Sequence, residues 1–326
     1  MAIPVTAPAR GGVVNRLRTV DPRRYVVYIG FLVIFVAMSI LLRSDGFFTA
    51  HNLLNIALQT APITVMAVGT VFVLSTGAID LSIGSVVALT AVVSATALAN
   101  HGVVVGIVAG LLTGAAVGLV NGLLVTRLRL PSFLVTLGMM EVVSGLAQRV
   151  TALQAVPSTD VTFNGIFGSG SIAGVSMLIV WSVVAVLAGH YIYRHTRAGA
   201  HVLAVGDNPR AARVSGIRVD RIKVAVLVAS AVTASLAGML DTGRLHGATY
   251  NLGANDLLPV IAAVVVGGTR LTGGQGSIVG ALVGSLMLGM LNNGLILAGL
   301  STWDQLIANG VILLVAIALT GREDKV

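Results

Sequence analysis

The chain has 326 residues, of which 56% are hydrophobic and 10% are charged, and its formal net charge is +8. Because a soluble globular domain carries roughly 25% charged residues, this composition indicates a polytopic membrane protein. The basic residues lie at the ends of apolar runs, which fits membrane topology and does not argue for nucleic-acid binding. The chain contains no cysteine, which excludes disulfides, thiolate metal sites and cysteine nucleophiles. It also lacks P-loop, HExxH and GxSxG motifs, so we expect no catalytic, metal or cofactor site, and any ATP hydrolysis falls to another chain.

The apolar runs predict an all-α fold of about ten membrane helices, some of them broken. Residues 1–24 are polar and basic and are expected to form a cytoplasmic tail. The run Tyr25–Leu42 is too long for a signal-peptide core and has no small-residue cleavage site after it, so we interpret it as a retained first span. We expect a single membrane domain over residues 25–321 and a second tail at 322–326. The further predicted spans lie near residues 53–75, 82–99, 103–125, 130–150, 172–193, 223–242, 257–269 (shorter than a full span), 277–299 and 303–320.

The distribution of Lys and Arg predicts the orientation of these spans. With the N-terminus inside, the cytoplasmic segments hold 17 of the 20 basic residues and leave only Arg43, Arg149 and Arg244 outside. Positive charge is enriched in cytoplasmic loops, so both termini and the 194–223 stretch are predicted to be cytoplasmic.

The 194–223 stretch contains the sequence signals of one short, capped helix. Asn208 suits the N-cap, Pro209 the first helical position, and Gly216 a left-handed residue that ends the helix after two turns. A helix of two turns is not stable alone in water, so a basic helix held between spans fits a docking element. The alternative is a solvated loop whose arginines only set the topology.

Glycine rows and interrupted segments are the other distinctive patterns. Six glycines at spacing four, Gly102 to Gly122, allow close helix packing. Because a spacing of four drifts about 40° per step, the row should contact more than one neighbour, and packing within one subunit is favoured over a subunit interface.

Two apolar segments, Ser75–Ser85 and Gly267–Gly280, are broken by glycine and polar residues, as in helices that line a cavity.

Four sequence blocks together resemble the permease subunits of ribose/xylose-type sugar ABC importers. They occur in the family's order and spacing: TGAIDLSIGS at 76–85, NGLLVTRLRLPSFLVTLGMM at 121–140, AVGDNPRAARVSGIRVDRIKV at 204–224, and IAAVVVGGTRLTGGQGSIVGALVGSL at 261–286. The resemblance implies a ten-span permease in a bacterial inner membrane, surrounded by lipid and paired with a second identical or related permease copy. A tandem ATPase subunit would bind inside, and a periplasmic binding protein would deliver a monosaccharide from outside.

The resemblance also assigns residues. It implies that the segment around 206–217 is the coupling helix that contacts the ATPase, with Gly206, Asn208, Pro209, Arg210, Ala212, Arg213, Ser215 and Gly216. Polar residues in spans or broken segments are candidates for the translocation path: Asp80, Ser82, Asn121, Thr136, Glu141, Asn292 and Asn293. An ionisable group at membrane depth tends to face a pore or a partner, although Asp80 fits a helix-capping role equally well. Family members usually carry an arginine just after the Met-Met pair, where this chain has Glu141 to Ser144, and this departure concerns the substrate.

Three alternatives remain open from the sequence. A ten-span secondary metabolite carrier predicts two similar halves and short loops, which the basic 194–223 stretch does not match. A membrane enzyme acting on lipids needs acids and histidines clustered at one face, whereas the 12 acids here are scattered. The alternative substrate is a branched-chain amino acid, because the permeases for those substrates are distant relatives.

Overall fold

The computed structural model describes residues 26–301, 303–308, 310–311 and 314. Over these residues the chain is mainly helical, with two pairs of very short strands. The helices are α1 Val26–Leu41, α2 Ala50–Ser75, α3 Ile83–His101, α4 Val103–Arg127, α5 Ser132–Thr151, α6 Val161–Phe167, α7 Met177–His195, α8 Arg197–Asp207, α9 Pro209–Val214, α10 Val219–Leu245, α11 Leu257–Val266 and α12 Ile278–Leu297. Antiparallel pairs join β1 Val156–Pro157 to β4 Gly247–Ala248, and β2 Ser171–Ile172 to β3 Val175–Ser176.

Among the described residues, seven helices are long and apolar enough to cross a membrane, namely α2, α3, α4, α5, α7, α10 and α12. Helices α1 and α11 are also apolar but have only 16 and 10 residues. The polytopic class is therefore supported, and the predicted count of ten spans is not confirmed. Both predicted tails and half of the predicted span at 303–320 lie outside the described residues.

The centre of the bundle is formed by α2 and α3. In these helices 78% and 72% of the most apolar window is buried, against 17% in α5. Helix α10 packs on α2, α3 and α4, and α12 packs on α2 and α11. Apolar side chains from α2, α3, α10 and α11 form the main core cluster, so the least buried spans, α4, α5 and α7, lie at its periphery.

The glycine row of α4 contacts two different helices, as its winding predicts. Gly106 and Gly110 pack against α3, while Gly114, Gly118 and Gly122 pack against α10. An added Cβ on Gly118 would lie 2.7 Å from a backbone carbonyl oxygen of α10. The interpretation of this row as packing within one subunit is confirmed by these contacts.

Candidate functional site

A buried polar network forms within the first interrupted segment, Ser75–Ser85, where the non-helical residues 76–82 join α2 to α3. Asp80 Oδ1 accepts hydrogen bonds from Ser82 Oγ at 2.7 Å and from Ser82 N at 3.0 Å, and Asp80 Oδ2 accepts one from Ser230 Oγ at 3.0 Å. Asn121 Nδ2 donates to Ser82 Oγ at 3.0 Å. Three predicted path residues are thus brought together, joined by Ser230 of α10, which the sequence reasoning missed.

This network holds the broken segment in place. All four side chains are buried, with Asp80 only 4% exposed. Ser82 is the N-cap residue of α3 and its own side chain makes no cap bond, so Asp80 fixes the turn that precedes the helix. The geometry therefore supports a role for Asp80 in positioning the segment.

Thr136 of α5 supports the same segment from the other side. Its Oγ1 accepts a hydrogen bond from Leu81 N at 3.0 Å, and Ser132 Oγ accepts one from Ile79 N at 3.0 Å. The non-helical backbone at 79–81 thereby uses α5 side chains as hydrogen-bond partners, which satisfies amides that have no helix partner. Thr136 is fully buried, so it lies inside the bundle where α5 contacts the broken segment.

Beside this segment lies a cavity of about 200 Å³ between α3, α5 and the residues that follow β4. Its polar lining groups share the ability to donate or accept hydrogen bonds; they are Ser85, Glu141, Ser144, Gln148, Tyr250 and Asn251. Glu141 is the one carboxylic acid among the described lining residues. Of the predicted path residues, Glu141 alone lines this cavity. Within the described part of the chain, no group of three His, Asp or Glu residues could hold a metal ion.

The two predicted asparagines of α12 lie elsewhere. Asn293 exchanges two amide hydrogen bonds with Asn52 at the start of α2, each 2.9 Å long. Asn292 Oδ1 is buried and has no hydrogen-bond partner within the described residues. These contacts join α12 to α2 and are separate from both the Asp80 network and the cavity.

The predicted capped helix in the 194–223 stretch is present as α9. Asn208 Oδ1 accepts hydrogen bonds from the backbone N of Arg210 and Ala211, each at 3.0 Å. Pro209 is the first helical residue, and Gly216 has a left-handed φ of +83°. The local structure predicted from the caps is therefore confirmed.

The exposed side of α9 is partly basic and partly apolar. Arg213 Nη2 lies 2.8 Å from Asp220 Oδ1, and both side chains are about 60% exposed. Val214 is 91% exposed, while Ala212 packs inward against Val205 and Val219. Arg213 and Val214 therefore lie on the outer surface of this segment.

Helix α8 was not predicted from the sequence, and it connects α9 to both interrupted segments. An added Cβ on Gly206 would overlap Ser75 O and Gly274 N. Gly274 N donates a hydrogen bond to Ser75 O at 3.0 Å. An added Cβ on Gly273 would lie 2.8 Å from Gly77 N. We call these five residues the glycine junction: Ser75, Gly77, Gly206, Gly273 and Gly274. The glycines at 206 and 273–274 are visible in the sequence, but nothing local indicates that they meet.

Residues 52–317 match the family described as branched-chain amino acid transport system / permease component, and the chain belongs to this family. It is 40% identical over 320 residues to the ribose import permease protein RbsC of Escherichia coli (strain K12), a match that covers 94% of this chain and 99% of that protein. It is 38% identical to the L-arabinose ABC transporter permease protein AraH of Azospirillum brasilense, covering 95% of this chain and 90% of that protein. It is 32% identical to the fructose import permease protein FrcC of Rhizobium meliloti, covering 84% and 78%. No solved structure matches this chain.

The family and the fold agree on the class of protein. A permease component of an ABC importer is a transport subunit and not an enzyme, and it works with an ATPase and a binding protein. Together with seven candidate spans among the described residues, this membership identifies a multi-pass protein of the inner membrane.

Proposed function

We propose that this chain is the permease of an ABC importer for a monosaccharide, a ribose- or xylose-like pentose or a hexose. The observation that carries the proposal is the cavity beside Glu141, whose walls combine hydroxyl, amide and carboxyl groups with aliphatic side chains. The printed names of relatives at 32–40% identity, which concern ribose, L-arabinose and fructose, support the same substrate class.

The chemistry of the cavity suits a neutral, heavily hydroxylated solute. A transporter must release what it admits, and every ~1.4 kcal/mol of extra affinity slows release about tenfold. Several hydrogen-bonding groups spread over α3, α5 and the Tyr250–Asn251 turn can exchange partners with sugar hydroxyls without holding them tightly. The buried residues Asp80, Ser82, Asn121 and Thr136 then form the wall of the translocation path. Glu141 contacts the sugar inside it.

The assembly proposed here has two ends. The surface of α8 and α9 is the docking site for a tandem ATPase subunit in the cytoplasm, and a periplasmic binding protein delivers sugar at the opposite end. A second permease copy completes the pathway. The charge distribution of the sequence supports ten spans with both termini in the cytoplasm.

Reconstitution in proteoliposomes with the ATPase and binding protein tests the proposal. We expect uptake of a labelled pentose that requires both ATP and the binding protein. Labelled leucine provides the competing arm, because the family description names branched-chain amino acids. ATP-dependent leucine uptake in place of sugar uptake would overturn the substrate class. Uptake driven by an ion gradient without ATP would overturn the importer class and favour the secondary carrier.

A further inference from the structure

The predicted cytoplasmic end of α7 carries a group of exposed basic side chains. Arg194 and His195 are the last two residues of α7, and Arg197 begins α8 after the single residue Thr196. All three of these basic side chains are exposed. Within the described residues, neither guanidinium takes part in an ion pair or a side-chain hydrogen bond. We call Arg194, His195 and Arg197 the basic cluster.

No acid lies close enough to neutralise the basic cluster. The sequence has no Asp or Glu between Asp160 and Asp207. Asp207 is the last residue of α8, and a rise of 1.5 Å per residue places it about 15 Å from Arg197 along the helix. This distance exceeds the screening length of about 8 Å at physiological salt. Helices α2 and α12, which pack against α7 at Gly189, contain no acid. The positive potential of the cluster is therefore available to an anion.

The corner between α7 and α8 holds the basic cluster together. An added Cβ on Gly199 would overlap Tyr193 O, so the first turn of α8 lies directly against the last turn of α7. The hydroxyl of Thr196 donates to Ile192 O at 2.7 Å and does not cap α8. This close contact keeps Arg197 at the same end of α7 as Arg194, and the uncapped start of α8 adds to their positive potential.

The outer face of α7 changes from aliphatic to polar as it approaches the cluster. Leu187, Tyr191 and His195 follow one another at a spacing of four, which places them on one side of the helix. Leu187 and Tyr191 are 64% and 63% exposed, and the rings of Tyr191 and His195 stack with centroids 5.8 Å apart. Tyrosine is enriched where hydrocarbon meets the headgroups. His195 lies about 6 Å further along the axis, a distance that matches a headgroup layer roughly 5–7 Å thick.

The position of α7 in the bundle favours lipid as the occupant of this site. Only 22% of the most apolar window of α7 is buried, and Val184 is exposed on the same side as Leu187. The surface proposed above for the ATPase is centred on α9, which follows the far end of α8. A molecule that contacts both the aliphatic side of α7 and the basic cluster must carry apolar chains and a negative charge. Anionic phospholipids combine these two properties.

We propose that the basic cluster binds the phosphate of an anionic phospholipid, such as phosphatidylglycerol, in the cytoplasmic leaflet. Arg194 and Arg197 donate charge-assisted hydrogen bonds to the phosphate oxygens, and His195 contacts the same group. Tyr191 packs against the glycerol and the first part of the acyl chains. The bound lipid joins the end of α7 to the start of α8, and its binding does not depend on which solute is transported.

Native mass spectrometry of the complete transporter with added lipid tests this site. The probes are phosphatidylglycerol and phosphatidylcholine with the same acyl chains, and we expect the unmodified protein to bind phosphatidylglycerol more tightly. Each basic residue near the membrane surface contributes about fivefold to the binding of anionic lipid. The double variant Arg194→Gln/Arg197→Gln should therefore bind phosphatidylglycerol about 30-fold more weakly and phosphatidylcholine as before. Arg194→Lys/Arg197→Lys keeps both charges and should stay within a few-fold of the unmodified protein.

Arg221→Gln is the matched control, because Arg221 is an exposed arginine in the first turn of α10, next to Asp220. This variant should bind phosphatidylglycerol as the unmodified protein does. An equal loss in Arg221→Gln, or in the double lysine variant, would overturn the site, since only general charge or folding would then be affected. Displacement of the lipid by an equal concentration of inorganic phosphate would overturn the assignment to lipid in favour of a free anion. Unchanged phosphatidylglycerol binding in the double glutamine variant, with loss of the ATPase subunit, would assign the cluster to the ATPase instead.

Discussion

Replacing Ser230 by alanine tests whether the buried network around Asp80 holds the broken segment. Ser230 Oγ donates to Asp80 Oδ2 at 3.0 Å, and the two side chains are 1% and 4% exposed. Within the described residues no other hydrogen bond reaches this oxygen, so Ser230→Ala leaves a buried acceptor without a partner. Leaving such a group unsatisfied costs about 1–3 kcal/mol, and we expect the free energy of unfolding to fall by that amount.

The measurement is a titration of the detergent-solubilised protein with a denaturing detergent, followed by helical circular dichroism. Ser235→Ala is the matched control, because Ser235 is a fully buried serine on the same helix. Its hydroxyl donates to the carbonyl of Ala231 at 2.8 Å, a bond inside the helix. That carbonyl keeps its helical partner, so the loss should stay below about 1 kcal/mol. Equal losses in the two variants, or no loss in Ser230→Ala, would refute the role given to the network.

Four further outcomes are expected. A cysteine replacing Ala200 should label only from the cytoplasmic side and one replacing Ser169 only from outside; the reverse pattern contradicts the predicted topology. Gly216→Val places a β-branched residue at a φ of +83° and should disturb the end of α9. We expect the protein to stay in the membrane while transport and stimulated ATP hydrolysis fall together. Full ATPase stimulation would mean that α9 only sets the topology. Glu141→Gln should retain some uptake in vesicles, and Glu141→Leu should lose uptake when equal amounts of folded complex are compared. Normal uptake by the leucine variant would exclude Glu141 from the path. Gly206→Ala should lower the melting temperature by separating α8 from α2, and an unchanged melting temperature would contradict the close contact.

The parts of the fold that depend on local signals were predicted from the sequence. The caps of α9 are set by Asn208, Pro209 and Gly216, which lie within nine residues of one another. The two-sided packing of the α4 glycines follows from helix geometry alone. In both cases the information lies in neighbouring residues, and no tertiary contact had to be known.

The parts that depend on long-range contacts were not predicted. Asp80 and Ser230 are 150 residues apart, and Ser230 is one of many serines in apolar helices. Polarity at membrane depth selected Asp80, Glu141 and Asn293 as candidates for the path, and the structure gives them three different surroundings. The carboxyl of Glu141 is exposed because α5 packs at the periphery of the bundle, whereas the carboxyl of Asp80 is buried. This difference in packing cannot be read from the sequence around either residue. Helix α8 was missed because its sequence was interpreted as part of a polar loop.

The glycine junction makes the link between α8 and the two interrupted segments mechanically stiff. Side chains at a contact can absorb a small displacement by changing rotamer, whereas main-chain atoms in contact have no such freedom. Gly206 lies against Ser75 and Gly274 through backbone atoms alone. A shift of α8 by a fraction of an ångström must therefore move the end of α2 and the loop before α12 with it, or break the contact. Because an added Cβ at Gly206 or Gly273 would overlap the facing backbone, only glycine at these positions lets α8 follow the two interrupted segments this closely.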